Sequence, residues 1–409
     1  MKVLFIQPVL PYPLYLGGNQ GMYNGIAAVK DKVEAHLIYL EYYNRKNDEE
    51  RHKLEKLFGN VTISPYVYNH RKGLYKLYYW FIDQIAQKLK LQSKSKDYAS
   101  DQMARTYKML PQEYVEYIND YIVKHKIDVV QVEMIGCLSL VLALPATVKK
   151  VFLHHELRYI INELALNQMG RTRYRVANSE LAKIQEIGLL NRYDAVITVS
   201  SIDAQKLKDA GVATVVAPSF SVVNTPPKIS LVDIDSHLLT FVGPSSHNPN
   251  YVGIMWFLKN CWQKLLAEDG NYRLRIIGRW DEGKKQLITK EYGNRIEFAG
   301  FVENLSTALQ GSLMIVPITI GSGIRMKILE ASSLGVPFVS TTVGAEGLPF
   351  ASGQECMLAD TPEDFVKSIL LMRDTDRCTD FAKKANEIVK SHYSLTALGE
   401  NRIGIYNSL

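Results

Sequence analysis

Cysteine is scarce in this chain: four among 409 residues, at Cys137, Cys261, Cys356 and Cys378. No two are close enough for a CxxC pair, so neither a zinc half-site nor a disulfide framework is suggested, and a reducing cytoplasm fits best. Long apolar runs are also missing. No stretch approaches the roughly 18 residues of a membrane-spanning helix. The opening MKVLFIQPVLPYP has an apolar run of only four residues before Gln7, too short for a signal-peptide core, so neither export nor membrane crossing is expected. The first strand, Lys2 to Gln7, is not followed by GxGxxG but by a loop with Pro8, Pro11 and Pro13, too long for a tight dinucleotide turn, which argues against a dehydrogenase. Tandem repeats and low-complexity segments are absent. The net charge of +6 is mild, and no nucleic-acid-binding motif accompanies it, so no nucleic-acid partner is expected.

What is present is an ordinary globular composition, 47% hydrophobic and 22% charged, over a length that suits two domains. Short branched strands alternate with helices. Val33 to Leu40 reads as a strand, Glu113 to Lys126 as a helix, Ile127 to Val132 as a strand, and Val151 to Leu153 as another that runs into His154-His155-Glu156-Leu157-Arg158. Arg171 to Leu190 reads as one polar helix, followed by the strand Asp194 to Ser200 and a helix that Ser200 or Ser201 can cap. NTPPKIS, Asn224 to Ser230, is the best linker by composition. Leu238 to Gly243, Arg273 to Gly278 and Arg295 to Phe298 are strands beyond it, and the helices after Phe365 are amphipathic. From Glu41 to about Leu110 the alternation breaks down. Residues 71–96 hold seven Lys or Arg against one Asp, interleaved with Tyr75, Tyr78, Tyr79, Trp80 and Phe81. That pattern suits an amphipathic helix packed on its domain, or a peripheral contact with an anionic membrane.

The chain is organised around Leu313 to Leu348. Leu313 to Ile318 is a branched apolar run, and Ile324, Ile328, Leu329 and Leu334 recur closer to helical than to strand spacing. Gly335 and Pro337 close that helix before PFVSTT resumes a strand. The turn between, Gly321-Ser322-Gly323, leaves backbone N–H groups uncovered at a helix N-terminus, where the helix dipole favours an anion such as phosphate. Arg325 and Lys327 add full charges there, and Glu330 is spaced to accept hydrogen bonds from a sugar hydroxyl of the same ligand. A purely structural turn would read the same way.

The full string GSGIRMKILEASSLGVPFVSTTVGAEGL closely resembles the donor-binding segment of retaining nucleotide-sugar glycosyltransferases of the GT-B fold, in the large GT4-like family. The resemblance implies an α/β architecture of two Rossmann-like domains facing across a cleft. Residues 1–223 would form the N-terminal acceptor domain, residues 231–394 the donor domain, and the final helix, 395–409, would cross back to the first. It further implies Gly321, Ser322 and Gly323 on the donor diphosphate and Glu330 on the ribose. Relatives often have Glu-x7-Glu here, whereas Ser322 stands in place of the first glutamate. They also often carry Arg and Lys after the first strand of the donor domain; this chain has Ser245, Ser246 and His247, so Arg325 and Lys327 are expected to take over the leaving group. HELR resembles the signature whose histidine lies near the reacting sugar, with His155 favoured as catalytic and His154 beside it. FVGPSSHNPNYVGIMWFLKN, with Gly243 and Asn250, resembles the first strand, loop and helix of the donor domain. GFVENL places Val302 where backbone meets the nucleotide base, and Gly17 and Gly18 would approach donor phosphate or acceptor.

The implied activity is hexosyl transfer from a nucleoside diphosphate sugar to a glycan or lipid-linked acceptor in polysaccharide biosynthesis. It would proceed with retention, with no metal and with no cofactor beyond the co-substrate. Two other readings stay open: an inactive nucleotide-sugar-binding subunit, and an epimerase on the same fold. The expected location is the cytoplasm, at the membrane's cytoplasmic face if residues 71–96 bind lipid.

Overall fold

In the computed structural model, the short branched runs become strands of two separate six-stranded sheets. The structure describes residues 1–14, 17–42, 47–68, 107–219, 234–321 and 324–409. The first sheet contains β1 (Lys2–Gln7), β2 (Glu34–Tyr42), β3 (Thr62–Tyr68), β4 (Val129–Glu133), β5 (Lys149–His154) and β6 (Ala195–Thr198). Their spatial order is β3-β2-β1-β4-β5-β6, parallel throughout. Because successive side chains leave a strand on opposite faces, this sheet supports two cores. Val3, Phe5, Leu37, Val129, Val151 and Ile197 pack on one side. Leu4, Ile6, Ile38, Val130, Phe152 and Val196 pack on the other.

The second sheet contains β7 (Leu238–Val242), β8 (Arg273–Ile277), β9 (Ile296–Gly300), β10 (Leu313–Val316), β11 (Phe338–Ser340) and β12 (Met357–Leu358). Its order, β9-β8-β7-β10-β11-β12, repeats the first sheet's 3-2-1-4-5-6 pattern. That is the doubly wound arrangement, in which the order reverses between the first and fourth strands and opens a crevice at their carboxyl ends. The chain divides into one unit of Met1–Val199, Asp203–Pro218 and Arg402–Leu409 and another of Ser200–Ile202 and Ser219–Asn401.

Several elements differ from expectation. The alternation does not stop at Glu41: a helix, Asp48–Phe58, and β3 continue it to Tyr68. The polar helix expected at Arg171 is the second of a pair, Arg158–Met169 and Arg173–Leu190. Gly170 adopts φ 88° between them, and the Thr172 hydroxyl accepts a hydrogen bond from the Arg175 N–H to start the second helix. The first helix of the chain begins at Gly17, so Gly17 and Gly18 form its opening turn. The linker at Asn224 to Ser230 and the basic aromatic stretch 71–96 lie outside the described residues. Among the described residues no helix is long and apolar enough to cross a membrane. All four cysteines are buried free thiols.

Candidate nucleotide-binding site

The crevice of the second sheet lies between the loops that leave β7 and β10, which are neighbouring strands. After β7 the chain turns at Gly243 (φ 147°) and enters the helix Asn248–Phe257. A Cβ on Gly243 would stand 2.4 Å from Asn250 Nδ2, so only glycine leaves room for that amide. Nδ2 of Asn250 donates to the Pro244 carbonyl at 3.0 Å, which fixes the loop. Farther along the helix, a Cβ on Gly253 would meet the Pro317 carbonyl at 2.6 Å, so the helix lies directly against the loop after β10.

That second loop leads through Gly321 (φ 121°) to the helix Met326–Ser333. The Arg325 guanidinium folds back over Gly321, where a Cβ would come within 3.0 Å of its Nη2. Ser322 and Gly323 lie outside the described residues. Lys327, in the first turn, donates from Nζ to Oδ1 of Asn250 at 2.7 Å, and its ammonium sits 4.2 Å from the Phe241 ring centroid. The aromatic face attracts a cation but solvates it less well than water does. Burial, and then the charge of Arg325, bring the pKa of Lys327 down to about 7, against the opposing pull of Glu330. Gly243, Asn250, Gly321, Arg325 and Lys327 are thus brought together, with Glu330 three residues beyond Lys327 on the same short helix. Val302, partly buried against the core of this unit, follows β9 and the turn at Gly300.

A clamp that the sequence did not reveal holds the first loop from the other side. Trp280 Nε1 donates to the Gly243 carbonyl at 2.9 Å, the Asp281 N–H donates to Ser245 Oγ, and Lys284 Nζ donates to the Ser245 carbonyl while lying 4.3 Å from the Tyr251 ring centroid. These residues come from the stretch after β8. Nothing in their local pattern marked them.

In the first unit the two histidines part company. His154 is 2% exposed, and its Nε2 meets Glu186 at 2.9 Å. The same carboxylate accepts from the backbone N–H groups of Arg158 (3.1 Å) and Tyr159 (3.0 Å), so it caps the Arg158–Met169 helix from a distant helix. A ring committed to that knot braces the start of the helix. His155 keeps a partly exposed edge and meets the buried Glu133 at 3.1 Å through Nε2. Gly18 packs near the residue after Glu133, Met134, whose Cε would lie 3.1 Å from a Cβ there. Met134 itself adopts φ 67° with ψ 140°, a positive-φ conformation uncommon outside glycine, at the turn leaving β4.

Comparison with known proteins agrees with this architecture. Residues 236–374 match the family model described as "Glycosyl transferases group 1". A Klebsiella pneumoniae protein described as "Uncharacterized 44.6 kDa protein in cps region" is 26% identical over 160 residues, which is 37% of this chain and 41% of that protein. Among solved structures, Anabaena Alr3699/HepE in complex with UDP superposes with a TM-score of 0.66 at 14% identity, covering 100% of both chains. TarM does so with a TM-score of 0.66 at 11% identity, covering 99% of this chain and 98% of that one. A glycosyltransferase from Rickettsia africae gives 0.67 at 14% identity, covering 100% and 98%. At such identities the likeness establishes the fold, and that fold is GT-B: two Rossmann-like units, each with a parallel sheet.

Proposed function

We propose, from the match of residues 236–374 to the group 1 glycosyl transferase family model in a chain of GT-B fold, that the protein transfers a sugar from a nucleoside diphosphate donor to a glycan or lipid-linked acceptor. The observation that carries the proposal is Lys327, a cation held over Phe241 and against Asn250 at the crevice of the second sheet. Such a placement weakens the charge of the empty protein. It makes chemical sense once an anion arrives to restore that charge.

The reaction needs stabilisation where charge develops. As the bond from sugar C1 to the diphosphate oxygen breaks, negative charge grows on the leaving phosphate and the sugar becomes oxocarbenium-like. In this reading Lys327 and Arg325 meet that phosphate as preorganised cations, together with the N–H groups at the start of the Met326–Ser333 helix. Glu330 accepts from the ribose hydroxyls, and His155 contacts the reacting sugar. The acceptor oxygen bonds to C1 from the face the leaving group vacates, and its proton passes to the departing phosphate, so configuration is retained. Two protein cations serve the leaving group without a metal or further cofactor.

Ser322, where relatives have the first glutamate, favours a second reading: a subunit that binds nucleotide sugars without turnover. Labelled UDP-, GDP- and dTDP-sugars, incubated with and without cell membranes, separate the two. Thermal shift with the free diphosphates comes first. UDP heads the screen because Anabaena HepE was solved with UDP and with UDP-glucose, and S. aureus TarM with UDP. A ligand at a hundred times its dissociation constant adds about 2.7 kcal/mol of stability, a readily measured shift. At least one diphosphate is expected to produce it, and no response to any of the three would remove both readings. We place the protein in the cytoplasm, with residues 71–96 as its candidate contact with anionic lipid.

A further inference from the structure

Five side chains of the first unit form one directed chain of hydrogen bonds that ends on His155. Arg402, 1% exposed, donates from Nη1 to Oε1 of Gln131 at 2.7 Å, and the Tyr406 hydroxyl donates to the same oxygen. Nε2 of Gln131 donates to Oε1 of Glu133 at 2.7 Å. Oε2 of Glu133 meets Nε2 of His155 at 3.1 Å. Gln131 and Glu133 are fully buried in β4, in a run, VVQVE, where apolar residues would cost less to enclose. Two buried polar side chains in one short strand require an explanation beyond packing.

The direction of each bond follows from the first. A guanidinium only donates, so the amide oxygen of Gln131 faces Arg402 and its amide nitrogen faces Glu133. Tyr406 reinforces this, since burial pushes its phenol up to about 12 and leaves it a donor at neutral pH. Oε1 of Glu133 therefore accepts. Its other oxygen accepts from His155, which puts the ring proton on Nε2. Nδ1 of His155 then carries a lone pair, and no hydrogen bond engages it among the described residues.

We propose that Glu133 is a positioning residue for His155: oriented through Gln131 by Arg402, it fixes the imidazole as the Nε2–H tautomer and presents Nδ1 as an acceptor for a sugar hydroxyl. Only the identity of the hydroxyl rests on the transferase reading. A neutral imidazole has two tautomers, and the hydrogen bond at one nitrogen decides what the other offers a ligand. The C-terminal segment Arg402–Leu409 belongs to the same unit and thereby determines the proton position at a site residue far away in sequence.

Nitrogen NMR of histidine-labelled protein, with His155 assigned by loss of its signals in His155→Gln, tests this directly. The wild-type ring should be Nε2–H. In Glu133→Gln the new amide must offer its oxygen to Gln131, so its N–H turns to His155 and the ring should switch to Nδ1–H. Turnover should then fall tenfold or more while nucleotide affinity stays within twofold. Adding Glu133→Gln to His155→Ala should cost no more than a further twofold. An Nδ1–H ring in the wild type, an unchanged tautomer in Glu133→Gln, or fully additive losses would each overturn the proposal. The wild-type spectrum decides even where a variant is unstable. A wild type that transfers no sugar from any donor removes the transferase reading and leaves the spectrum to judge Glu133.

Discussion

The ammonium of Lys327 lies between the Phe241 ring and the Asn250 carboxamide, and burial together with Arg325 brings its pKa from 10.5 to about 7. Between those two values the unfolded chain holds a proton that the folded chain has released. Stability rises with pH wherever the unfolded state binds more protons, so the penalty from Lys327 is full at pH 7 and below and fades toward pH 10. Denaturant titrations should therefore show the wild type gaining on Lys327→Met as the pH is raised from 7 to 10. A stability difference that stays flat across that window would mean that the proton is not lost. The charge itself was legible in the sequence, because Arg325 and Lys327 follow a glycine turn at a helix start. The partner was not: Asn250 is 77 residues away, and only the folded sheet brings the two together. Glu186 was hidden for the same reason, as it caps a helix that begins 28 residues earlier in the chain.

At the scale of elements, strands were easier to read than helices. Leu313 to Val316 is continuously apolar, and Leu238 to Val242 is so but for the buried Thr240, because parallel strands are covered on both faces. The Arg158–Met169 helix escaped because its start depends on a remote carboxylate rather than on a local capping residue. The helix after β7 shows how closely the site loops are packed. Gly253→Ala puts a methyl group 2.6 Å from the Pro317 backbone carbonyl, which cannot rotate away, so helix and loop must separate. Overpacking of this kind costs about 1–3 kcal/mol. Gly188→Ala, in a helix with nothing within 4 Å of the new methyl, should instead be neutral or stabilising by up to about 1 kcal/mol. Thermal melts of the two variants provide the comparison, and equal stability in both would show that the helix and the Pro317 loop are not in tight contact.

At the scale of the whole molecule, both sheets use the order 3-2-1-4-5-6, so each unit has a crevice at its own strand reversal. Two Rossmann-like halves were legible because the alternation of strand and helix restarts at Leu238. What the sequence withheld is contact at long range, above all Arg402 with Gln131, 271 residues apart. The central claim is that Lys327 meets the leaving diphosphate, and steady-state kinetics of Lys327→Ala on a nucleotide sugar test it most directly. A contact that strengthens as charge develops lowers kcat more than it raises KM when removed. The account predicts a kcat loss on the order of a hundredfold, comparable to removing one oxyanion donor, with a smaller change in KM. Unchanged turnover in Lys327→Ala would contradict it.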